Sequence, residues 1–251
     1  MTSFKDRLNA GQPLLGLWQA LANPYTAEIC AGAGYDWLLF DGEHAPNTVQ
    51  TLLAQLQAVA PYPVEPVARV PIGDPAIIKQ YLDIGFRTLL VPMMESAEQA
   101  RHMVAATRFP PHGIRGVASA TSRASRFGAD TGYVATAHET VTLIVQIESR
   151  AGLDALDRIA QVDGVDALFI GPADLAASLG HLGDPRHLDV QAAIADALAR
   201  IARAGKPAGI FALSPDDARA RIADGVTFVS VGTDVGLLAS GARALRTTVA
   251  G

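Results

Sequence analysis

The sequence predicts an α/β protein that folds as one (β/α)8 (TIM) barrel over residues 1–251, with a long insertion between strands four and five. Short, almost continuously apolar segments recur along the chain, stretches with helix-capping residues separate them, and the apolar segments number eight. A doubly wound open sheet is the alternative, but the count of eight and the polar residues after several segments favour the barrel. The predicted strands are Leu14–Trp18, Trp37–Asp41, Pro66–Arg69, Thr88–Pro92, Thr142–Ile147, Ala167–Ile170, Ala208–Phe211 and Phe228–Val231.

Helices between the strands are predicted from their terminal residues. The segment Asp74–Gly85 begins with an N-cap aspartate and a first-turn proline and ends at a glycine. Ser96–Thr107 begins with the serine and glutamine spacing of a capping box. Ser214–Gly225 combines a serine-proline start with a final glycine.

The spacing of the predicted strands is irregular at one place, because 54 residues separate the starts of strands four and five. This interval contains a helix, a loop rich in proline, glycine, serine and arginine (Phe109–Asp130), and a short helix near Tyr133–Glu139. Long loops in compact domains are usually functional or mobile. We therefore expect this insertion to be either functional or mobile.

Composition excludes several classes of protein. With 49% apolar and 18% charged residues, the chain has enough apolar side chains for a folded core. The 25 acidic residues outnumber the 20 basic ones and no basic cluster is present, so we expect no nucleic-acid partner. The lone Cys30 excludes an intramolecular disulfide, and no apolar run approaches the length of a membrane span or secretion signal. A cytoplasmic enzyme without membrane contact is the expectation.

Polar residues follow four of the predicted strands. The second strand leads into Asp41–His44, the third ends at Arg69, the fifth leads through Gln146–Glu148, and the sixth leads into Gly171–Asp174. Active sites of (β/α)8 barrels are built at the carboxyl ends of the strands. We therefore expect these side chains to converge on one face.

Glu148 and Asp174 are candidate metal ligands. They lie 26 residues apart, about one βα repeat, which predicts neighbouring positions on the rim. An all-oxygen donor set suits Mg²⁺ or Mn²⁺. The alternative is a helix-capping aspartate beside a glutamate that is solvated or paired with an arginine.

His44 is a candidate general acid or base, because imidazole titrates near neutral pH. The alternative is a histidine that is merely exposed. Asp41 is positioned in the sequence to orient His44 or to hold a metal-bound water. The remaining histidines are interpreted as surface residues: His102, His112, His138, His181 and His187.

Arg69 ends an otherwise apolar strand, so its guanidinium is expected in the mouth of the barrel, facing carboxylates or an anionic ligand. A structural ion pair with Glu148 or Asp41 is the alternative, and it is compatible with function. No lysine is placed to form a Schiff base, so carbonyl activation would come from a metal and Arg69. The sequence has three lysines: Lys5, Lys79 and Lys206.

Motifs over nearly the whole chain carry a family resemblance. They are Gly16-Leu17-Trp18, Gly34-Tyr35-Asp36-Trp37-Leu38-Leu39, Asp41-Gly42-Glu43-His44-Ala45-Pro46-Asn47, Leu89-Leu90-Val91-Pro92-Met93, Gly113-Ile114-Arg115-Gly116, Val145-Gln146-Ile147-Glu148 and Phe169-Ile170-Gly171-Pro172-Ala173-Asp174-Leu175. In these segments the chain resembles the 4-hydroxy-2-oxoheptanedioate aldolase family, the metal-dependent (class II) pyruvate aldolases that include the 2-keto-3-deoxy-L-rhamnonate aldolases.

The resemblance implies a role for each matching residue. It implies a divalent metal ion (Mg²⁺, Mn²⁺ or Co²⁺) on Glu148 and Asp174, Arg69 against the keto oxygen, and His44 in proton transfer. It also implies that backbone groups of Ala173 and Asp174 hold the pyruvate carboxylate. Further residues that it places at the substrate are Gln146, Trp18, Phe169 and Leu213.

The resemblance also implies a homohexamer, built as a trimer of dimers. In that assembly Asp83 would reach His44 of a neighbouring subunit. The sequence agrees locally, because Asp83 ends a predicted helix on the side of its own barrel opposite the carboxyl ends of the strands.

The expected reaction is the reversible retro-aldol cleavage of 4-hydroxy-2-oxoacids to pyruvate and an aldehyde. A CoA-ester lyase of the malyl- or citryl-CoA type is one alternative, although the net charge of −5 offers no basic surface for CoA phosphates. A non-catalytic 2-oxoacid-binding barrel is another. Three arginines of the insertion are candidates for a distal carboxylate of the aldehyde, unless they pair with Asp130, Glu139 or a neighbouring subunit: Arg115, Arg123 and Arg126.

Overall fold

The computed structural model describes residues 3–250, in which eight parallel strands pair in chain order and close into a barrel. The predicted fold class is therefore confirmed, and the open sheet is excluded. The strands are β1 Leu14–Gln19, β2 Trp37–Asp41, β3 Glu65–Arg69, β4 Thr88–Val91, β5 Thr142–Ile147, β6 Ala167–Ile170, β7 Ala208–Phe211 and β8 Phe228–Thr233.

Helices cover the outside of the barrel and begin where the capping residues predict. Asp74, Ser96 and Ser214 each accept a hydrogen bond from a backbone N–H of the first turn that follows. The helices are α1 Phe4–Asn9, α2 Pro24–Ala31, α3 Val49–Val59, α4 Pro75–Asp83, α5 Ala97–Thr107, α6 Tyr133–Thr140, α7 Arg150–Ala160, α8 Pro172–Ser178, α9 Leu188–Arg203, α10 Pro215–Ala223 and α11 Asp234–Ala250.

The strand register sets the positions of the polar residues at the rim. Asp41 and Arg69 are direct partners at the carboxyl ends of β2 and β3. Gln146 of β5 is level with Phe169 of β6, so Glu148 follows at the height where β6 leads into α8. Neighbouring parallel strands thus bring side chains that are distant in sequence to one edge of the barrel.

The barrel interior is filled by aromatic and branched side chains. Trp37 stacks on Phe228 with 4.1 Å between ring centroids, and its indole N–H donates to the Leu14 carbonyl at 3.0 Å. Gly16 faces this indole at a distance that leaves no room for a Cβ. A second, larger apolar layer lies between the strands and the helices, and together the two layers make the strand ends a rigid platform.

The insertion between β4 and β5 is anchored at the amino ends of the strands. Arg115, which is 2% exposed, donates to Asp83 at the end of α4 at 2.7 Å and to the Tyr133 hydroxyl at 2.9 Å. Arg123 donates to the Ile84 carbonyl at 3.0 Å. The hypothesis that these arginines meet the aldehyde within their own subunit is therefore wrong for both, because they lie at the opposite end of the barrel.

The last helix, α11, packs poorly against the rest of the chain. Among its described residues only Asp234 is buried, where its carboxylate accepts the backbone N–H groups of Ala20 and Leu21 at 2.8 and 3.1 Å. Its apolar residues are largely exposed, at 56% for Leu237 and 62% for Leu238. No helix formed by residues 3–250 combines the length and the apolar character needed to cross a bilayer.

Candidate active site

A cavity of about 270 Å³ opens at the carboxyl ends of the strands. Eight residues that the sequence predicts for the site line it together, although they come from six different βα units. A groove beside Ile72 and Met103 is larger, at about 840 Å³, but none of the residues that the sequence predicts for the site lines it. The eight residues are Trp18, His44, Arg69, Gln146, Phe169, Ala173, Asp174 and Leu213.

Arg69 is held in one orientation by three neighbours. Its Nε and Nη2 atoms donate to the two carboxylate oxygens of Asp41 at 2.8 and 2.7 Å, and its Nη1 lies 2.7 Å from Glu43 Oε2. The guanidinium carbon lies 4.4 Å from the centre of the Trp18 ring. The hydrogen bonds to Asp41 occupy two of the five N–H groups of the guanidinium, and the contact with Glu43 is an ion pair without hydrogen-bond geometry, so N–H groups on Nη1 and Nη2 are left to donate to a ligand.

Asp41 organises the loop that carries His44. Besides binding Arg69, its Oδ1 accepts the backbone N–H groups of Glu43 and His44 at 3.0 and 3.4 Å. Its backbone carbonyl accepts the Asn47 side-chain amide at 2.8 Å. Of the two roles predicted for Asp41, orienting the His44 ring is not observed within this subunit, because the carboxylate holds the arginine and the backbone instead. Holding a metal-bound water stays a prediction.

Glu148 lies one layer below the cavity and is 2% exposed. Its Oε1 accepts the Met93 backbone N–H at 2.9 Å, and its Oε2 contacts the Gln146 side-chain amide and the backbone of Gly171. A Cβ at position 171 would overlap this carboxylate, so the glycine is required by close approach. Burial is the main reason that the pKa of Glu148 rises from 4.5 to about 7, and the negative charges of Asp174 and Glu43 raise it further.

The residues of this site fit a divalent cation. The charge of Asp174 helps to raise the pKa of both Glu43 and Glu148, although burial is the larger cause for each, so negative charge gathers beside the Arg69 guanidinium. The Gln146 Oε1 atom is buried without a hydrogen-bond partner among residues 3–250. Carboxylate and amide oxygens are the ligands that Mg²⁺ and Mn²⁺ prefer, so the chemistry of these residues suits such an ion.

Two residues of the site were missed as functional candidates by sequence reasoning. Glu43 lies within the Asp41–His44 segment, but the sequence did not indicate a role for it; it contacts Arg69, and burial raises its pKa. Phe211 closes the cavity wall with its ring 5.4 Å from that of Trp18. Glu43 follows a predicted strand and Phe211 ends one. The rule that places residues from strand ends at the rim could therefore have identified both.

His44 lies exposed on the cavity wall, and its ring has no hydrogen-bond partner among residues 3–250. The three lysines lie elsewhere, as the sequence predicts. Lys206 Nζ donates to the Val165 carbonyl at 2.6 Å, and Lys5 pairs with Asp166 at 3.1 Å, both near the amino end of β6. None of the lysines lines the cavity.

Asp83 lies away from the cavity, paired with Arg115 at the end of α4. Within one subunit it therefore has no contact with His44, and the role implied by the family resemblance requires a second subunit.

One group of three potential metal ligands, His181, His187 and Asp189, occurs among residues 3–250. The two imidazole rings are stacked with centroids 3.6 Å apart and planes at 16°, so their in-plane lone pairs do not converge. The Nδ1 atom of His187 already accepts the Asp189 N–H at the start of α9, at 3.2 Å. This group is therefore a helix cap.

Comparisons with known proteins identify the family of the chain. A family model described as HpcH/HpaI aldolase/citrate lyase matches residues 14–241. Over 243 residues the chain is 61% identical to the hydroxypyruvate/pyruvate aldolase of Deinococcus radiodurans, which covers 97% of this chain and 88% of that protein. It is 54% identical over 243 residues to the 4-hydroxy-2-oxo-heptane-1,7-dioate aldolase of Salmonella heidelberg, with coverages of 97% and 92%. The crystal structure of an HpcH/HpaI aldolase/citrate lyase family protein from Burkholderia cenocepacia aligns over 100% of both chains, with a TM-score of 0.96 and 46% identity.

Proposed function

This chain belongs to the HpcH/HpaI aldolase/citrate lyase family, and on that premise we propose that it is a divalent-metal-dependent aldolase that reversibly cleaves 4-hydroxy-2-oxoacids, such as 4-hydroxy-2-oxoheptanedioate, to pyruvate and an aldehyde. Family membership and the two aldolase relatives make the protein an enzyme, a carbon–carbon lyase. The resemblance inferred from the sequence motifs is thereby confirmed. Because one relative is named a hydroxypyruvate/pyruvate aldolase, hydroxypyruvate is a second candidate for the ketoacid.

The observation that carries the proposal is the fixed position of Arg69. Its guanidinium is buried, hydrogen-bonded to Asp41, paired with Glu43 and packed on Trp18, while N–H groups on Nη1 and Nη2 are left for a ligand. A pre-oriented cation suits the oxygen that gains negative charge when a 2-oxoacid becomes an enolate. We therefore assign the Arg69 guanidinium to the keto oxygen of the substrate.

Glu148 and Asp174 are the residues that we propose to hold the metal ion. Gln146 and Asp174 line the cavity, and the side-chain oxygen of Gln146 has no hydrogen-bond partner among residues 3–250, so it is a further candidate ligand. When bound, a divalent cation would polarise the keto carbonyl as a Lewis acid. We expect Mg²⁺, Mn²⁺ or Co²⁺ to serve.

His44 is the proposed proton carrier. In the cleavage direction, a ring nitrogen of His44 accepts the proton of the 4-hydroxyl group while the C3–C4 bond breaks. The electron pair of that bond forms the enolate of pyruvate, whose oxygen faces Arg69, and the C4 hydroxyl becomes the aldehyde carbonyl. A proton delivered to C3 by His44 or a water then completes pyruvate, and the synthetic direction reverses each step.

The remaining walls of the cavity suggest how the substrate is oriented. We propose that the backbone at Ala173 and Asp174 receives the pyruvate carboxylate, with Gln146 beside it. Aromatic and aliphatic side chains then shape the space for the aldehyde. They are Trp18, Phe169, Phe211 and Leu213.

We also propose that the enzyme works as a homo-oligomer, a hexamer built as a trimer of dimers. The exposed apolar residues of α11, with Leu245 at 67% and Val249 at 80%, support association with a second copy, because contiguous exposed apolar surface usually marks an interface. Asp83 contributes to catalysis only in such an assembly, where it would meet His44 of a neighbouring subunit.

The test is a reaction panel with metal-free protein. The protein is treated with EDTA, reloaded with Mg²⁺, Mn²⁺ or Co²⁺, and given pyruvate or hydroxypyruvate with succinic semialdehyde or lactaldehyde. We expect aldol product only after metal is returned, strong loss in Asp174→Asn, and near-normal activity in Arg219→Gln, which alters an exposed pair on α10. Product in the chelated protein, or cleavage of malyl-CoA without aldol activity, would contradict the proposal.

A further inference from the structure

Leu213, at the wall of the catalytic cavity, is held by side chains on both sides of its backbone. Its N–H donates to Asp217 Oδ2 at 2.8 Å, and its carbonyl accepts a hydrogen bond from Arg186 Nη2 at 3.0 Å. Leu213 belongs to the loop between β7 and α10 and lines the cavity. Because loops are usually the mobile parts of a domain, two such contacts on one loop residue indicate that neighbouring side chains impose its position.

The two side chains that hold Leu213 are connected to each other by further contacts. The second oxygen of Asp217, Oδ1, accepts a hydrogen bond from Arg221 Nε at 3.0 Å, and Arg221 Nη2 donates to Gln191 Oε1. The Gln191 amide donates to the Pro185 carbonyl at 2.7 Å, and Pro185 directly precedes Arg186. These contacts close a ring, which we call the Leu213 circuit. Its members are Leu213, Asp217, Arg221, Gln191, Pro185 and Arg186.

The charged centre of the Leu213 circuit is shielded from water. The side chains of Arg221 and Asp217 are only 10% and 16% exposed. A buried guanidinium is costly unless its donors are paired, and here it meets both a carboxylate and an amide oxygen. Moving any member would leave a shielded charge without its partner. We therefore expect the circuit to keep one geometry.

The Leu213 circuit joins segments that follow two neighbouring strands. Asp217 and Arg221 lie one turn apart on α10, which follows β7. Gln191 is near the start of α9, and residues 185–186 lie in the loop between α8 and α9. The same segment after β6 carries Asp174 in the first turn of α8. The circuit thus ties together two βα connections that both contribute to the catalytic cavity.

From these contacts we propose that Asp217, Arg221 and Arg186 are positioning residues that set the selectivity of the enzyme for its aldehyde. The inference rests on the proposed aldolase function, in which Leu213 helps to shape the space for the aldehyde. A wall residue whose backbone is fixed by surrounding hydrogen bonds does not yield to the substrate, so aldehydes are accepted according to their size. None of the three positioning residues lines the cavity, so they act through Leu213.

The experiment compares the Mg²⁺-loaded wild type with Arg221→Met, and with Arg186→Met in case the first variant does not fold. Aldol addition of pyruvate to acetaldehyde and to butanal gives kcat and KM for a small and a larger neutral aldehyde, so the lost charge has no direct partner on the substrate. We expect kcat/KM for butanal relative to acetaldehyde to rise by about threefold or more, mainly through KM, because Leu213 yields to the longer chain. Arg186→Lys, which keeps a donor for the Leu213 carbonyl, should restore the wild-type ratio.

Two further readouts separate positioning from a general loss of structure. Exchange of pyruvate methyl protons needs no aldehyde, so its rate should stay within about twofold of wild type in the same variants. Hydrogen exchange of the Leu213 amide, followed by mass spectrometry, should accelerate in Arg221→Met, because Asp217 loses the partner that holds it in place.

Arg219→Gln is the matched control, since it removes an exposed arginine that is paired with Asp216 on the same helix, and it should change none of these readouts. The proposal is overturned if the folded variants keep the wild-type aldehyde ratio, if methyl-proton exchange falls in parallel with the aldol rate, or if the Leu213 amide stays protected in Arg221→Met. A wild type that forms no aldol product would contradict the proposed function instead, and the amide exchange would still decide whether the circuit holds Leu213.

Discussion

Glu148→Gln should make the metal-free protein more stable while it removes metal binding. The Glu148 carboxylate is buried, and burial together with neighbouring acids raises its pKa from 4.5 to about 7. Between pH 4.5 and 7 the folded protein keeps a proton that the unfolded chain has released, so stability falls as the pH rises through this window. Above pH 7 the full cost of the buried charge is present.

The size of the effect follows from the pKa. A difference of about 2.5 pKa units corresponds to roughly 3 kcal/mol of unfolding free energy at pH 8, as an upper value. For a chain of this length that is a rise of about 6 °C in the melting temperature. Glutamine retains an acceptor for the Met93 N–H, but the Gln146 amide must rotate to accept from it, which reduces the gain.

The assay is thermal unfolding of wild type, Glu148→Gln and the control Glu139→Gln, which changes an exposed carboxylate on α6. In EDTA at pH 8 we expect only Glu148→Gln to be stabilised, with the gain shrinking toward zero near pH 4.5. Mg²⁺ should then stabilise wild type and leave Glu148→Gln unchanged. Equal melting temperatures of wild type and Glu148→Gln at pH 8, or a gain that does not depend on pH, would refute the reasoning.

Three further predictions address other parts of the molecule. Arg69→Lys should lower kcat by about 100-fold or more, because an ammonium group cannot hold Asp41 with two parallel hydrogen bonds and still face the substrate. A near-normal steady-state rate in this variant would contradict the role of Arg69 at the keto oxygen. Met93 has a φ of +52°, and its backbone N–H donates to Glu148. Met93→Val should therefore weaken Mn²⁺ binding by about tenfold, because a β-branched residue disfavours this φ, while Met93→Gly should retain the affinity. Equal Mn²⁺ affinities of the two variants in a titration would show that the backbone does not orient the carboxylate. Leu237→Ser/Leu238→Ser should shift the enzyme to smaller species in analytical ultracentrifugation, and an unchanged sedimentation coefficient would exclude α11 from the interface.

Much of the fold was predictable because its signals are local. Each strand is a short apolar run, and each helix start that was inferred from a cap, such as Asp74 or Ser214, is observed with the expected hydrogen bond. The rim residues were predictable by the same logic, since parallel strands of a barrel end on one face. The positions of Arg69 and Gln146 on the cavity wall could therefore be predicted from the pattern of strand ends alone.

The errors concern contacts between segments that are distant in sequence. Nothing in the local sequence reveals that Arg115 reaches Asp83, because such partners depend on how helices and loops pack. The sequence offered both Asp41 and Glu148 as partners of Arg69, and only the structure shows that the partner is Asp41. The hydrogen bond from the Met93 backbone N–H to Glu148 could not be predicted either. It requires a positive φ at a methionine, which no residue pattern indicates.

The most direct test of the central claim is the exchange of pyruvate methyl protons with D₂O, followed by ¹H NMR. Enolate formation requires removal of a methyl proton, so it is detectable without an aldehyde. We expect exchange with the Mg²⁺-loaded enzyme, none after EDTA treatment, recovery when Mg²⁺ returns, and strong loss in Arg69→Lys. Exchange at full rate in the chelated protein, or its absence in an Mg²⁺-loaded enzyme that binds pyruvate, would contradict this claim.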